Sequence, residues 1–103
     1  MNSNEKNELL LAQLIYMFQT ASLQHMGKLK NPATDKIERD LQQAQISIDI
    51  LDMMHAKMKG NLSAAEEKMF AGVLQELRLN YVDEASKGNT PPASPAPEPA
   101  AKQ

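Results

Sequence analysis

The sequence KMKGNLSAAEEKMF at residues 57–70 predicts a sharp corner between two helices. Gly60 stands where the end of a helix requires a positive φ, which glycine adopts with little steric cost. Ser63 is followed three residues later by Glu66, the spacing of a capping box at a helix start. The predicted corner therefore consists of Lys59, Gly60, Asn61, Ser63 and Glu66.

The same corner has an alternative interpretation as a weak binding site for an anion or a nucleic acid. Free N–H groups at a helix start attract anions, and two lysines stand nearby, so this candidate site covers Lys57–Asn61. Against it, Glu66 and Glu67 already place negative charge at that helix end, and the repeated glycines of a phosphate-binding loop are missing. We favour the structural corner and keep the binding site as the alternative.

Apolar residues recur at the three-and-four spacing of a helix face on both sides of the corner. They predict three helices, over about 4–27, 35–59 and 63–86, with Gly27 ending the first and Thr34 or Asp35 capping the second. No stretch alternates with the period of two that a strand requires. The predicted core positions are Leu11, Leu14, Ile15, Phe18, Ala21, Ser22 and His25, then Ile37, Leu41, Ala44, Ile48, Leu51, His55 and Met58, then Phe70, Val73, Leu74, Leu77 and Tyr81.

The predicted fold is all-α. Because short connections force consecutive helices to run antiparallel, we expect an elongated antiparallel three-helix hairpin or bundle over residues 1–87. Residues 88–103, GNTPPASPAPEPAAKQ, hold five of the six prolines and no large apolar residue. Such a segment buries too little apolar surface to offset its ordering entropy, so the sequence predicts a disordered Pro/Ala-rich C-terminal tail.

Charge and composition exclude several function classes. The chain has eleven basic and thirteen acidic side chains, and the basic ones are scattered, whereas a nucleic-acid footprint gathers excess positive charge on one face. The lack of cysteine agrees with a reducing compartment, so we expect a cytoplasmic protein. The apolar run at 9–18 falls short of the ~20 residues of a bilayer span and lacks the positive start of a signal peptide. Neither nucleic acid nor membrane is an expected partner.

The first two helices carry more apolar residues than one core face can bury. A helix that packs on one core shows a single apolar stripe, but each of these shows a second stripe almost opposite the first. Long exposed stripes are typical of interfaces, and symmetric dimers are the commonest oligomers. We expect a homo-oligomer, most simply a dimer, with an unknown protein as the alternative partner. The predicted interface consists of Leu9, Tyr16, Leu23, Ile46, Ile50 and Met53.

The methionines bear on the same question, because flexible thioethers suit surfaces that accept varied partners as well as gaps in a core. The sequence has seven methionines. We expect Met17 and Met58 to fill the core and Met53 and Met69 to lie at an interface.

The residues that carry chemistry do not form a catalytic constellation. His25 and His55 are predicted near opposite ends of the first two helices, so they cannot share a metal or a substrate. His55 is expected opposite Glu66 or Glu67, where a pair without a nucleophile favours a structural hydrogen bond. Asp52 and His55 share a helix face, but a stable metal site needs three or four ligands. We expect a non-enzymatic helical interaction module without cofactor or metal.

Arg78 has two interpretations. It lies beside the core positions Leu77 and Tyr81, so it is expected to reach a carboxylate at the start of helix two, such as Asp40. The alternative is a docking residue for a partner, and the sequence does not separate the two.

The segments Ile48–Leu51, Lys59–Leu62 and Leu77–Val82 resemble the IDxL, KGNL and LRxxYV elements of a small bacterial domain of unknown function, number 1844 in its series. The resemblance covers about residues 9–83. The chain departs from it at Met58, where the family usually has threonine, and at Met26, where it usually has leucine before the glycine. The resemblance implies a small, soluble, all-helical bacterial protein and no established activity.

Overall fold

The computed structural model describes residues 2–87, which form three helices and no strand: α1 Ser3–His25, α2 Leu41–Lys57 and α3 Ala64–Ala85. α1 and α3 run in the same direction with α2 antiparallel to both, and the molecule measures 53 × 26 × 16 Å. The predicted elongated three-helix architecture is confirmed. The Pro/Ala-rich tail predicted for 88–103 lies outside the described residues.

Side chains that accept backbone hydrogen bonds fix the helix starts. The Asn2 side chain accepts from the Glu5 N–H at 2.8 Å, and the Glu5 carboxylate accepts from the Asn2 N–H at 3.0 Å. Asp40 caps α2 by accepting from the Gln43 N–H at 3.1 Å. These bonds satisfy N–H groups that have no partner inside the helix, so each start is set by residues within three positions of it.

The core lies where the three helices meet. Each large apolar side chain buried there stabilises the fold by about 1.5–3 kcal/mol relative to an exposed one. The core positions predicted for α3 are all buried or half-buried. On α1, the predicted core residue Ile15 is buried, but its neighbour Leu14, also predicted for the core, is 38% exposed. The fully buried apolar residues are Ile15, Met26, Ala44, Ile48, Leu51, Phe70, Leu74 and Leu77.

The connection between α1 and α2 is longer than predicted. Gly27 ends α1 at a φ of 83°, and the Lys28 N–H donates to the Leu23 carbonyl at 2.8 Å, the longer bond of a Schellman motif. The predicted start of α2 near residue 35 is wrong, because the helix begins at Leu41 behind the Asp40 cap. Ile37, a predicted core residue, lies outside the helix and is exposed.

A local turn displaces the start of α2. The Asn31 side chain accepts from the Ala33 N–H at 2.9 Å, which makes an Asx turn. Asp35, a predicted cap, has a φ of 57° and donates its N–H to the Asn31 carbonyl at 2.7 Å. The Asn31 N–H then donates to the Lys36 carbonyl at 2.8 Å, so the chain folds back on itself before the helix begins.

An ion-pair cluster with Arg39 and Glu84 buried at its centre joins this connection to the end of α3. We call it the Glu84 cluster. Glu84 is 5% exposed, and its Oε1 lies 3.3 Å from Nε of Arg39, whose side chain is 3% exposed. Arg39 Nη2 also donates to the Glu84 backbone carbonyl at 2.5 Å. The other carboxylate oxygen of Glu84 lies 2.9 Å from Lys87 Nζ and 3.2 Å from Lys28 Nζ, and Lys28 also contacts Asp83 at 2.8 Å.

The cluster favours the charged forms of its members. Burial of the Glu84 carboxyl opposes ionisation, but hydrogen bonds and charge from Lys87 and Lys28 outweigh it and hold the pKa of Glu84 below its usual range. The hydrogen bond to Lys28 lowers the pKa of Asp83, and that to Asp83 raises the pKa of Lys28. The folded protein therefore stabilises the ionised forms of Glu84 and Asp83.

Candidate interaction surfaces

The corner between α2 and α3 is held by the predicted capping box. Gly60 has a φ of 89°, and a methyl group on it would meet no atom within 4 Å, so the backbone conformation rather than space selects glycine. Ser63 Oγ accepts from the Glu66 N–H at 3.1 Å, and Glu66 Oε1 accepts from the Ser63 N–H at 2.8 Å. The Asn61 N–H donates to the Met58 carbonyl at 2.9 Å.

This geometry does not favour the anion-binding alternative at Lys57–Asn61. The cap occupies N–H groups that an anion at the helix start would use. Glu66 and Glu67 both lie in the first turn of α3. A hollow of about 300 Å³ beside the corner is lined by one lysine and two carboxylates, in the set Asp52, His55, Ala56, Lys59 and Glu67.

The predicted histidine–carboxylate pair forms between α2 and α3. His55 Nε2 lies 2.8 Å from Glu67 Oε1, and the imidazole stacks on the Phe70 ring with centroids 5.2 Å apart. His25 stands at the other end of α2, where its carbonyl accepts from the Asp40 N–H at 2.7 Å. Within residues 2–87 no three His, Cys, Asp or Glu side chains are grouped to hold a metal ion. The pair thus joins two helices beside the corner.

Arg78 pairs with a carboxylate of α2, but with a different one from that predicted. Its Nη2 lies 2.9 Å from Asp52 Oδ1, and both side chains are more than half exposed. The prediction of Asp40 is wrong because Asp40 caps the far end of α2. The Asp52–Arg78 pair marks the side of α2 that faces α3.

The described chain exposes many large apolar side chains. Met17, a predicted core residue, is 61% exposed, whereas Met58 packs against the core as predicted. Met53 and Met69 are exposed. Monomeric proteins rarely expose apolar side chains in contiguous patches, so the arrangement of these residues matters more than their number. The exposed set is Leu9, Leu10, Leu14, Tyr16, Met17, Leu29, Ile37, Ile46, Met53, Met69, Leu79 and Val82.

On α1, one exposed apolar stripe faces away from α3. Gln19 donates to the Glu76 carboxylate at 2.6 Å and so marks the side of α1 that faces α3. At 3.6 residues per turn, Leu10, Leu14 and Met17 lie about 140–180° around the helix from Gln19. They therefore form a stripe on the opposite side.

On α2, the predicted second stripe also faces away from α3. Ile46, Ile50 and Met53 lie about 100–160° around the helix from Asp52, which contacts α3. Because the Asp40 N–H bonds the His25 carbonyl, the antiparallel pair places Leu14 level with about residue 51. The two stripes therefore make one apolar surface, which we call the hairpin face: Leu10, Leu14, Met17, Ile46, Ile50 and Met53.

The second stripe predicted for α1 lies elsewhere. Leu9 and Tyr16 are exposed, but they lie on the side of α1 near α3, and Leu23 packs against the core. Sequence reasoning missed Leu10 and Met17 as surface residues. With Leu14 they recur four and three positions apart, which is itself the pattern of a helix stripe.

A second surface lies between the N-terminal halves of α1 and α3. It is an open groove of about 430 Å³. Its apolar lining is Leu9, Ala12, Ala65 and Met69, and its polar lining is Ser63 with three carboxylates, Glu5, Glu8 and Glu66. We call it the acidic groove.

None of the helices described within residues 2–87 has the length and apolar character needed to cross a bilayer.

Comparison with known proteins gives one finding. The model of a family described as Domain of unknown function (DUF1844) matches residues 8–84, which is most of the chain and covers most of each of the three helices. No curated protein and no solved structure matches the chain.

Proposed function

The chain belongs to the DUF1844 family, and we propose that it is a cytoplasmic, non-enzymatic interaction module that self-associates through the hairpin face, most simply as a dimer. The observation that carries this proposal is the arrangement of Leu10, Leu14, Met17, Ile46, Ile50 and Met53 on one side of the α1–α2 pair.

The energetics support an interface at the hairpin face. Fully burying one such side chain stabilises a protein by about 1.5–3 kcal/mol, and these are roughly half exposed, so each would contribute about 1 kcal/mol on association. In a symmetric dimer each residue contributes twice to the free energy of association, because the same patch is buried on both chains. Association must overcome a cost of several kcal/mol in lost freedom, which a face of this size offsets.

The chemistry of the face fits a second copy of the chain. All six side chains are uncharged, so pairing the face with itself brings no like charges together at its centre. The two helices that carry it pack directly on each other. Side chains held on packed helices lose less entropy on association than a flexible segment would.

Two matched double variants test the proposal. Replacing Ile46 and Ile50 with glutamate places charge in the hairpin face, whereas replacing Leu79 and Val82 places the same charge on α3, where both side chains are well exposed. We expect the first variant to have the mass of one chain and the second to keep the wild-type mass by light scattering. Circular dichroism checks that both remain helical.

A second hairpin-face variant, Leu10→Glu with Met17→Glu, covers the case in which the half-buried Ile50 disturbs the fold. The proposal is contradicted if folded hairpin-face variants keep the wild-type mass, or if only the α3 variant loses it.

A further inference from the structure

We propose that the acidic groove binds a basic amphipathic segment of a partner protein, one that places lysine or arginine beside leucine or methionine side chains. The groove lies between α1 and α3, on the other side of α1 from the stripe in the hairpin face. The inference therefore does not depend on self-association.

The lining of the groove provides an apolar binding surface. Leu9 of α1 is 58% exposed and Met69 of α3 is 38% exposed, and both line the gap between the two helices. Ala12 and Ala65 are small, so the gap beside them stays open. An apolar side chain of a partner would cover surface that the bundle itself leaves in contact with water.

The carboxylates of the groove supply the polar half of the recognition. Glu5 and Glu66 each use Oε1 in a capping box, which fixes the side chain and leaves Oε2 to bind a cation. The Glu8 side chain makes no hydrogen bond or ion pair with any residue in the described range 2–87, and no lysine or arginine lines the groove. The groove thus presents the negative charges of three glutamates beside its apolar surface.

Charge complementarity selects the occupant. A second copy of this chain docked by the same groove would bring glutamates against glutamates, which costs free energy. Nucleic acids and anionic lipid surfaces are repelled for the same reason. A basic amphipathic segment satisfies both halves, since its cations meet the carboxylates and its apolar side chains meet Leu9 and Met69. This is the helix-in-groove mode of peptide recognition.

The two surfaces can be occupied at once. Around α1, Leu9 and Tyr16 lie near α3 and Leu10 and Met17 lie opposite, with polar residues between them. This intervening strip consists of Lys6, Gln13, Thr20 and Gln24. A segment in the groove therefore leaves the hairpin face uncovered.

Peptide binding to the full chain tests the inference. The probe is a fluorescein-labelled helical peptide of about 14 residues built from leucine and lysine at the three-and-four spacing, and the control peptide has glutamate in place of lysine. At low salt we expect fluorescence anisotropy to show binding of the lysine peptide, weakened by added salt, and none of the glutamate peptide. Failure of the lysine peptide to bind at low salt overturns the inference.

A pair of triple variants locates the binding. Glu5→Gln, Glu8→Gln and Glu66→Gln remove the charge of the groove, and glutamine still serves in a capping box. The control changes Asp35→Asn, Glu38→Gln and Asp49→Asn, all exposed and elsewhere, so both variants raise the net charge by the same three units. We expect the groove variant to bind at least about tenfold more weakly and the control within about threefold of wild type. Equal losses in both variants overturn the inference.

A last comparison separates this inference from the proposed function. Ile46→Glu with Ile50→Glu changes only the hairpin face, so we expect it to bind the lysine peptide as wild type does, whatever its mass. Met69→Gln removes apolar surface from the groove, so it should weaken binding of the lysine peptide without changing the solution mass of the protein. Unchanged binding by Met69→Gln, or lost binding by a folded hairpin-face variant, overturns the assignment to the groove.

Discussion

The two connections between helices are held in contrasting ways. The corner at 58–63 is stabilised by hydrogen bonds between residues three positions apart, such as those of Ser63 and Glu66. The connection at 26–40 depends on contacts such as Arg39 with Glu84, which are 45 positions apart. A local bond pattern can be recognised in a sequence, but a contact between distant segments exists only once the helices pack. The corner should therefore tolerate change that the connection does not.

The largest expected effect is at the connection. Glu84→Ala removes the carboxylate that compensates the buried charge of Arg39, and breaking a buried pair in this way costs about 3–5 kcal/mol. We expect a fall of this size in the free energy of unfolding, measured with urea. Glu84→Gln keeps the shape and a hydrogen-bond acceptor, and should lose less. A loss below about 1 kcal/mol for Glu84→Ala would show that the cluster does not hold the connection.

Acid should weaken the connection between α1 and α2. The pKa values of Glu84 and Asp83 are lower in the folded protein than in the unfolded chain, so the unfolded chain binds protons more readily. The stability they contribute is present above the ordinary carboxyl range and is lost as pH falls through it and below. Unfolding followed from pH 7 to pH 3 should show this loss, and Glu84→Gln should reduce the pH dependence. An unchanged dependence in that variant contradicts the assignment.

A comparison of alanine substitutions at two glycines measures how much stability depends on the positive φ at the corner. Gly60→Ala forces a side chain into a positive φ without any steric contact, so we expect a loss of about 1 kcal/mol from the backbone alone. Gly72→Ala is the matched control, because that glycine lies in α3 with equally open space around it. There alanine should stabilise the helix by up to about 1 kcal/mol. Equal effects at both sites would show that the positive φ does not matter.

The smallest expected effect is at the exposed Asp52–Arg78 pair. Because water screens both side chains, Arg78→Ala should change the free energy of unfolding by about 0.5 kcal/mol or less. A urea titration of this variant beside Glu84→Ala compares an exposed ion pair with a buried one. Losses of similar size would contradict the distinction between the two regions.

The sequence predicts those parts of the fold that depend on neighbouring residues. Helical periodicity gives the three helices, and Gly60 and Ser63 give the corner, because each pattern lies within a few positions. The start of α2 is not predictable in this way. Thr34 and Asp35 resemble caps, but the Asn31 turn and the Glu84 cluster take over that segment. The turn is local, but the cluster joins Arg39 to a residue 45 positions away and cannot be recognised before the tertiary contacts are known.

The candidate surfaces show the same limit. An excess of apolar residues is visible in the sequence, but its division into two surfaces depends on how far each helix is rotated. That rotation is fixed by contacts between helices, such as Gln19 with Glu76, which are 57 positions apart. For this reason Leu9 and Leu10, adjacent in the sequence, belong to different surfaces.

The most direct test of the account is the solution mass of the unmodified chain, measured by sedimentation equilibrium over a tenfold range of concentration. Self-association through the hairpin face predicts twice the 11.4 kDa mass of one chain at the upper concentrations, with dissociation on dilution if the dimer is weak. A mass of 11.4 kDa at every concentration would contradict it.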